Sequence, residues 1–226
     1  MTALPPGQFE LAEFPRFGLD PFADKFPNEI AHIRLQIAGD VATPCELGDE
    51  LAELPRVEQT SDFHCVTTWS RRALRWSGYR FRDLYEQLIV PRAQPEPAAR
   101  FVVLRGQDGY RSALPLEDLL ADDVLLADRL DGAPLPLEHG APVRLVAPAH
   151  YGYKNLKHLS AIELWRDERN YHPPGRRFMD HPRARVAHEE RGRGLPGWLL
   201  RYLYRPFIRS TIRRFQRALD AHRARQ

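Results

Sequence analysis

The stretch Asp62-Phe63-His64-Cys65-Val66-Thr67-Thr68-Trp69-Ser70, followed by Trp76-Ser77-Gly78, decides how the rest of the chain is read. A cysteine alone says little, because free Cys packs in interiors as a small hydrophobe. Here His64, Thr67, Thr68 and Ser70 put polar groups where a plain core strand keeps apolar ones, and Trp69 and Trp76 are large enough to wall a pocket. Three chemistries can use such a thiol. A Cys–His nucleophile pair needs the imidazole beside the sulfur, and adjacent residues on a strand point to opposite faces, which sets His64 against that role. A zinc site needs three or four ligands; His139, His150 and His158 are available, but no CxxC or HxxxH spacing assembles them. The third option is a single thiolate on a metal whose other ligands come from a cofactor.

Working outward, a second unusual stretch runs His139-Gly140-Ala141-Pro142-Val143-Arg144-Leu145-Val146-Ala147-Pro148, then Tyr151-Gly152-Tyr153-Lys154-Asn155-Leu156-Lys157-His158-Leu159. Arg144 opens an apolar strand, while Lys154 and Lys157 crowd a glycine-containing turn. The whole chain has three lysines, Lys25, Lys154 and Lys157, so two of them fall in this turn. Converging cations suit an anion held by charge-assisted hydrogen bonds; the alternative is a solvated basic turn.

Together these motifs resemble the cofactor domain of the sulfite oxidase family of molybdopterin-dependent oxidoreductases, and within it most of all the catalytic subunit of bacterial protein-methionine-sulfoxide reductases. The likeness covers roughly residues 14–165. It implies a mixed-sheet α/β fold with α+β character and a molybdenum–molybdopterin cofactor. Cys65 would be the metal ligand; His139, Arg144, Asn155, Leu156 (through its backbone) and Lys157 would be cofactor contacts, with Lys154 and Gly152 in the same turn. Phe14-Pro15-Arg16-Phe17-Gly18 resembles the family's entry arm, which makes Arg16 a further candidate contact. The implied activity is oxygen-atom transfer on a small S- or N-oxide or sulfite-like molecule, with a redox partner protein; the alternatives are a catalytically degenerate cofactor fold serving as a binding or assembly module, and a basic-tailed nucleic-acid binder. Gly106 stands where many relatives carry a cofactor-contacting Thr. The C-x-x-N-R-R sulfite pocket and the haem-attaching CxxCH are missing, so no haem is expected.

The surrounding sequence reads as a mixture of short strands and short helices. Ile33, Leu35 and Ile37 alternate with polar residues as a half-buried strand does, and Phe101–Arg105, Val124–Ala127 and Val143–Ala147 are further strand candidates. Leu47, Leu51 and Leu54 have helical spacing, as do Phe81, Leu84, Tyr85 and Leu88 ahead of Pro91; Pro115–Leu120 begins as a helix would. Residues 1–29 read as an extended arm. A boundary is expected near residue 170, with a molybdopterin-binding domain before it and, over 171–226, a Pro/Arg-rich linker and a basic amphipathic helix.

The net charge of +3 conceals that division. From Arg191 onward the chain carries ten arginines and a single acid, Asp220, whereas residues 1–190 carry 23 basic and 29 acidic groups. Arg201, Arg205, Arg209, Arg213 and Arg217 recur every four residues beside an apolar band, which predicts an amphipathic helix restarted at Pro206. That helix can dock on its own domain or a partner, or adsorb over residues 198–219 to an anionic membrane surface; nucleic acid is not expected, since no reading motif accompanies the charge. Two cysteines without CxxC spacing and an N-terminal stretch lacking signal-peptide character point to a reducing, cytoplasmic setting, with the tail as a means of membrane association.

Overall fold

The computed structural model describes residues 3–225, so Met1 and Thr2 of the arm and Gln226 of the tail lie outside the described residues. Its strands are β1 Phe9–Glu10, β2 Leu35–Gly39, β3 Cys45–Leu47, β4 Arg56–His64, β5 Trp69–Arg80, β6 Phe101–Gly106, β7 Arg111–Pro115, β8 Leu125–Leu130, β9 Ala133–Pro134, β10 Arg144–Val146 and β11 Leu159–Trp165. The helices are α1 Phe81–Leu84, α2 Val90–Ala93, α3 Leu116–Leu119, α4 Gly197–Tyr204 and α5 Ile208–Arg223.

Two mixed sheets carry the fold. One has the order β1-β5-β8-β10, with β4 pairing β5 and β9 pairing β8; the other runs β3-β2-β11-β6-β7. Only β1/β5 and β2/β11 are parallel pairs, which gives the mixed-sheet α/β character expected from the sequence. Leu35 and Ile37 of β2, Val102 and Leu104 of β6 and Ile162 and Leu164 of β11 meet Leu126 and Leu145 of the first sheet in one apolar core. Burial of such side chains drives the packing, at roughly 1.5–3 kcal/mol each.

Several sequence expectations need local correction. Leu47 belongs to β3, and the helical turn that follows is a 3-10 turn over Asp49–Glu53. The helix expected to stop before Pro91 continues to Ala93 through a π turn over Tyr85–Ile89, a local widening that breaks the regular α ladder just ahead of the proline, which has no N–H to give it. The arm is extended as expected, with β1 pairing β5 and a 3-10 turn at Asp20–Phe22.

The tail forms the expected amphipathic helices, broken at Arg205–Phe207 around Pro206. The stretch read as a linker is part of the body. Arg191 is fully buried and donates to the carbonyls of Val66, at 2.6 Å, and Pro6, at 3.0 Å. Phe215 and Ala218 of α5 pack on Ala23 and Phe26 of the arm. The Arg191 guanidinium is held this way because these two carbonyls and the Glu189 carboxylate, 3.2 Å from its Nε, replace the water it has lost.

Candidate functional site

A cavity of about 170 Å³ opens where the arm, the turn between β4 and β5, the approach to β10 and the turn before β11 meet. One buried water needs about 10–15 Å³ on this measure, so the space suits a ligand of many atoms. Cys65, Arg16, His139, Arg144, Gly152, Asn155, Leu156 and Lys157 all line it; of the residues anticipated as metal ligand or cofactor contacts, Lys154 alone does not.

Cys65 sits in the β4–β5 turn, not within a strand, because β4 ends at His64 and the chain reverses through Thr68 at φ 90°. Cys65 N–H donates to the Trp69 carbonyl at 2.8 Å, and the sulfur lies 3.1 Å from Thr67 Oγ1. The His64 imidazole turns away and meets Ser70 Oγ at 2.8 Å through Nδ1. The pairing of His64 with Cys65 therefore fails for a geometric reason other than strand alternation. Burial pushes the Cys65 thiol up to about 11, against the opposing hydrogen bond from Thr67. Such a thiol is a poor nucleophile, but it would ionise readily beside a metal cation.

The cations form a shell around the cavity. Arg144, at the start of β10, donates to the carbonyls of His139 and Asn155, each at 3.0 Å, and packs against the Trp76 ring. Arg16 donates to Ala23 and Lys25 carbonyls, leaving its Nε without a partner, and lies over the Phe26 ring. Lys157 reaches only the Phe17 carbonyl, at 3.3 Å. Among the described residues none of the three has a carboxylate within ion-pair distance. Desolvation pulls Arg144 down to about 9, Arg16 to about 10 and Lys157 to about 7. Asp108 is the carboxylate that acts on Arg16 and Lys157 from beyond ion-pair distance, so the three cations leave the cavity with an excess of positive charge that favours a bound anion such as a phosphate.

The Asn155 side chain is engaged within its own turn at the cavity wall. Its Oδ1 accepts from Ala147 N–H at 2.7 Å and its Nδ2 donates to the carbonyls of Ala147 and His150, so the side chain fixes the turn while its own carbonyl receives Arg144. Leu156 is buried and returns its carbonyl to Leu145 N–H at 2.8 Å. Gly152 donates through its N–H to the His64 carbonyl at 2.8 Å, which ties the lysine turn to the cysteine turn. His139 stacks on Phe14 at 4.5 Å; burial and Arg144 pull it down to about 4, so it is neutral at physiological pH. Lys154 is turned inward onto Asp180.

The phenylalanines of the wall and the far side of the cavity escaped the sequence reading. Trp69 lines the cavity as anticipated, whereas Trp76 lies behind Arg144. Phe14, Phe17 and Phe63 complete the apolar wall, Tyr153 joins it from the lysine turn, and Asp108, Arg176, Asp180, Tyr204 and Phe215 come from distant segments. Tyr110 lines it too, whereas its neighbour Arg111 donates to the His172 carbonyl. Among the described residues no group of three or more His, Cys, Asp or Glu side chains is arranged to hold a metal, so a metal at Cys65 needs further ligands from outside the chain.

The family model for the oxidoreductase molybdopterin binding domain matches residues 23–172, a span that holds Cys65 and every cation of the shell except Arg16. The chain belongs to this family. Its molybdopterin-binding domain is that of an oxidoreductase, and its cofactor is molybdenum–molybdopterin. The chain is 35% identical over 182 residues to the uncharacterized oxidoreductase YuiH of Bacillus subtilis, covering 76% of this chain and 87% of that protein. Among solved structures it resembles the sulfane dehydrogenase SoxCD of Paracoccus pantotrophus, with a TM-score of 0.51 and 22% identity over 59% of this chain. That likeness shows the fold alone, and the chain spans 38% of the SoxCD chain.

Residues and cofactor fit each other. The soft thiol is the donor a molybdenum centre accepts, and Arg16, Arg144 and Lys157, which outnumber the Asp108 carboxylate acting on two of them, lie where a phosphate-bearing ligand balances their charge.

Proposed function

We propose that this oxidoreductase transfers an oxygen atom to or from a small S- or N-oxide or sulfite-like molecule, with Cys65 as the protein's ligand to molybdenum. The observation that carries the reading is the placement of one buried thiol and three cations without carboxylate partners around a single cavity. When bound, the cofactor supplies two-electron redox chemistry and an exchangeable oxygen; orientation and exclusion of water fall to the protein.

Arg144, Lys157 and Arg16 would hold the phosphate side, and neutral His139, stacked on Phe14, would offer a ring nitrogen to the pterin. Thr67 Oγ1 would steady the thiolate by hydrogen bonding, and the buried charge of Arg191 favours the same ionised form. Tyr110 donates to the Tyr153 carbonyl at 3.2 Å, and burial raises its pKa, so the phenol stays protonated and braces the lysine turn beside the cavity. Arg176 is exposed at the cavity edge and would draw an anionic or strongly dipolar oxide inward. In the reducing direction the S–O or N–O bond breaks and the oxygen leaves as water, which consumes two protons and two electrons from a redox partner protein.

The test is metal and pterin analysis of protein from a molybdate-replete host, beside turnover of S-oxides, N-oxides and sulfite. Stoichiometric molybdenum, oxidised-pterin fluorescence and turnover that Cys65→Ser abolishes are expected. Full metal loading with undiminished turnover in Cys65→Ser would remove Cys65 from the metal.

A further inference from the structure

The C-terminal helices have two unlike faces. The inner one is committed: Ile208, Phe215, Ala218 and Leu219 are buried, and Phe215 stacks in parallel with Phe17 of the cavity wall. The outer one carries large apolar groups in the open, with Trp198 55%, Tyr202 64%, Leu203 50% and Phe207 63% exposed. Apolar side chains clustered in this way mark an interaction surface.

The charges on the outer face have the same character. Arg205, Arg209, Arg213 and Arg217 are all exposed, and among the described residues no carboxylate lies within ion-pair distance of any of them. Arg213 and Arg217 donate only to the carbonyls of Arg209 and Arg213 on their own helix, and Arg205 rests over the Phe9 ring. The contrast within α5 is informative. Arg214 pairs with Asp24 and Arg223 with Glu138, where carboxylates of the body come within reach, whereas the row Arg209, Arg213 and Arg217 meets none. Asp220 is the one acid of the tail, and its carboxylate is taken by Gln216 at 2.9 Å.

We propose that this outer face docks the protein peripherally on an anionic lipid surface. Residues four apart share a side of a helix, so Arg209, Arg213 and Arg217 line up along α5, and Trp198 and Tyr202 do so along α4. A row of arginines beside exposed Trp, Tyr and Phe is what an interfacial helix presents: the rings sink to headgroup level and the guanidiniums meet lipid phosphates. A protein partner would need acids in register with each arginine, whereas a lipid surface needs none. Among the described residues no helix is long and apolar enough to cross a membrane, so the contact is made at the surface. With Phe215 in the cavity wall and the arginines on the opposite side of the same helix, docking brings that wall within about one helix diameter, roughly 10 Å, of the lipid. The inference does not depend on which metal or substrate the cavity takes.

Flotation of the full chain with phosphatidylglycerol-containing vesicles, against vesicles of phosphatidylcholine alone, tests it. The protein should float with the anionic vesicles only. Each arginine at such a surface contributes about fivefold in affinity, so Arg209→Ala/Arg213→Ala/Arg217→Ala should weaken partitioning on the order of a hundredfold. Trp198→Ser/Phe207→Ser should weaken it as well, and both variants should melt at the wild-type temperature because the altered side chains are exposed. Equal flotation of the arginine variant overturns the proposal. So does wild-type protein that stays in the dense fraction while binding duplex DNA in a salt-dependent way, or while forming a dimer that Trp198→Ser/Phe207→Ser dissolves.

Discussion

Lys154 donates through Nζ to Asp180 Oδ1 at 2.9 Å, and to the Ala113 carbonyl at the same distance, with its ammonium sealed from solvent. This pair joins the turn before β11 to a segment 26 residues further along the chain. Burial lowers the lysine's pKa and Asp180 opposes the loss. Removing only the acid leaves a buried cation without its partner, which costs about 3–5 kcal/mol. Asp180→Asn should therefore lower the urea midpoint sharply, while Lys154→Met/Asp180→Leu should recover most of the loss. A double variant no better than the single would show that Asp180 acts through something other than the ion pair.

The two site motifs were legible because each is contiguous and its chemistry lies in residue type: a thiol among polar neighbours, and cations crowded in a turn. Lys154 was grouped with those cations because Asp180, which takes its charge, lies within a Pro- and Arg-rich run that gives no sign of the contact. The β4–β5 hairpin that presents Cys65 was also hidden. Its strands, RVEQTSDFH and WSRRALRWSGYR, mix polar and apolar residues without a clean period of two, since β4 lies at the sheet edge with much of its length partly exposed. Helical periodicity predicted α4 and α5 but not their site of docking, because Phe17 and Ala23 lie nearly two hundred residues away.

Gly152 is a test of close approach. A methyl group at this position would overlap the Phe63 ring, and Phe63 itself stacks on Trp69 at 5.5 Å in the cavity wall. Gly152→Ala must therefore shift the ring or separate the cysteine and lysine turns. Overpacking of this kind costs about 1–3 kcal/mol. A lowered melting temperature and reduced cofactor retention are expected together, and unchanged retention would mean that the ring moves without disturbing the cavity.

The Cys65 thiol should be slow to react in cofactor-free protein. With its pKa near 11, set by burial, it holds roughly a hundredfold less thiolate at pH 8 than an ordinary thiol of pKa 9.0. Peptide mapping after iodoacetamide treatment should show Cys65 modified far more slowly than an exposed model thiol. Thr67→Val removes the hydrogen bond that favours the thiolate, so its pH–rate profile should move to still higher pH. A profile that does not move would mean that the hydroxyl hydrogen-bonds the sulfur without steadying its charge.

Lys157 gives the cofactor-free protein a pH dependence whose sign follows from its burial. Desolvation, with Arg16 and Arg144 nearby, pulls the ammonium down to about 7 from its ordinary 10.5. Between those values the unfolded chain binds more protons than the folded one, so stability rises with pH. Cys65 acts in the opposite sense above its ordinary 9.0, because there the folded thiol keeps a proton that the unfolded one releases. The window that reports on the lysine is therefore about pH 7 to 8.5, where this single group contributes a slope approaching ~1.4 kcal/mol per pH unit. Lys157→Met should flatten the rise seen in urea denaturation over that window. An anion bound among the three cations should flatten it too, since it favours the protonated lysine and stabilises the folded chain most at the lower pH. Parallel slopes for wild type and Lys157→Met would show that the ammonium is better solvated than its contacts with Phe17 and the cavity imply.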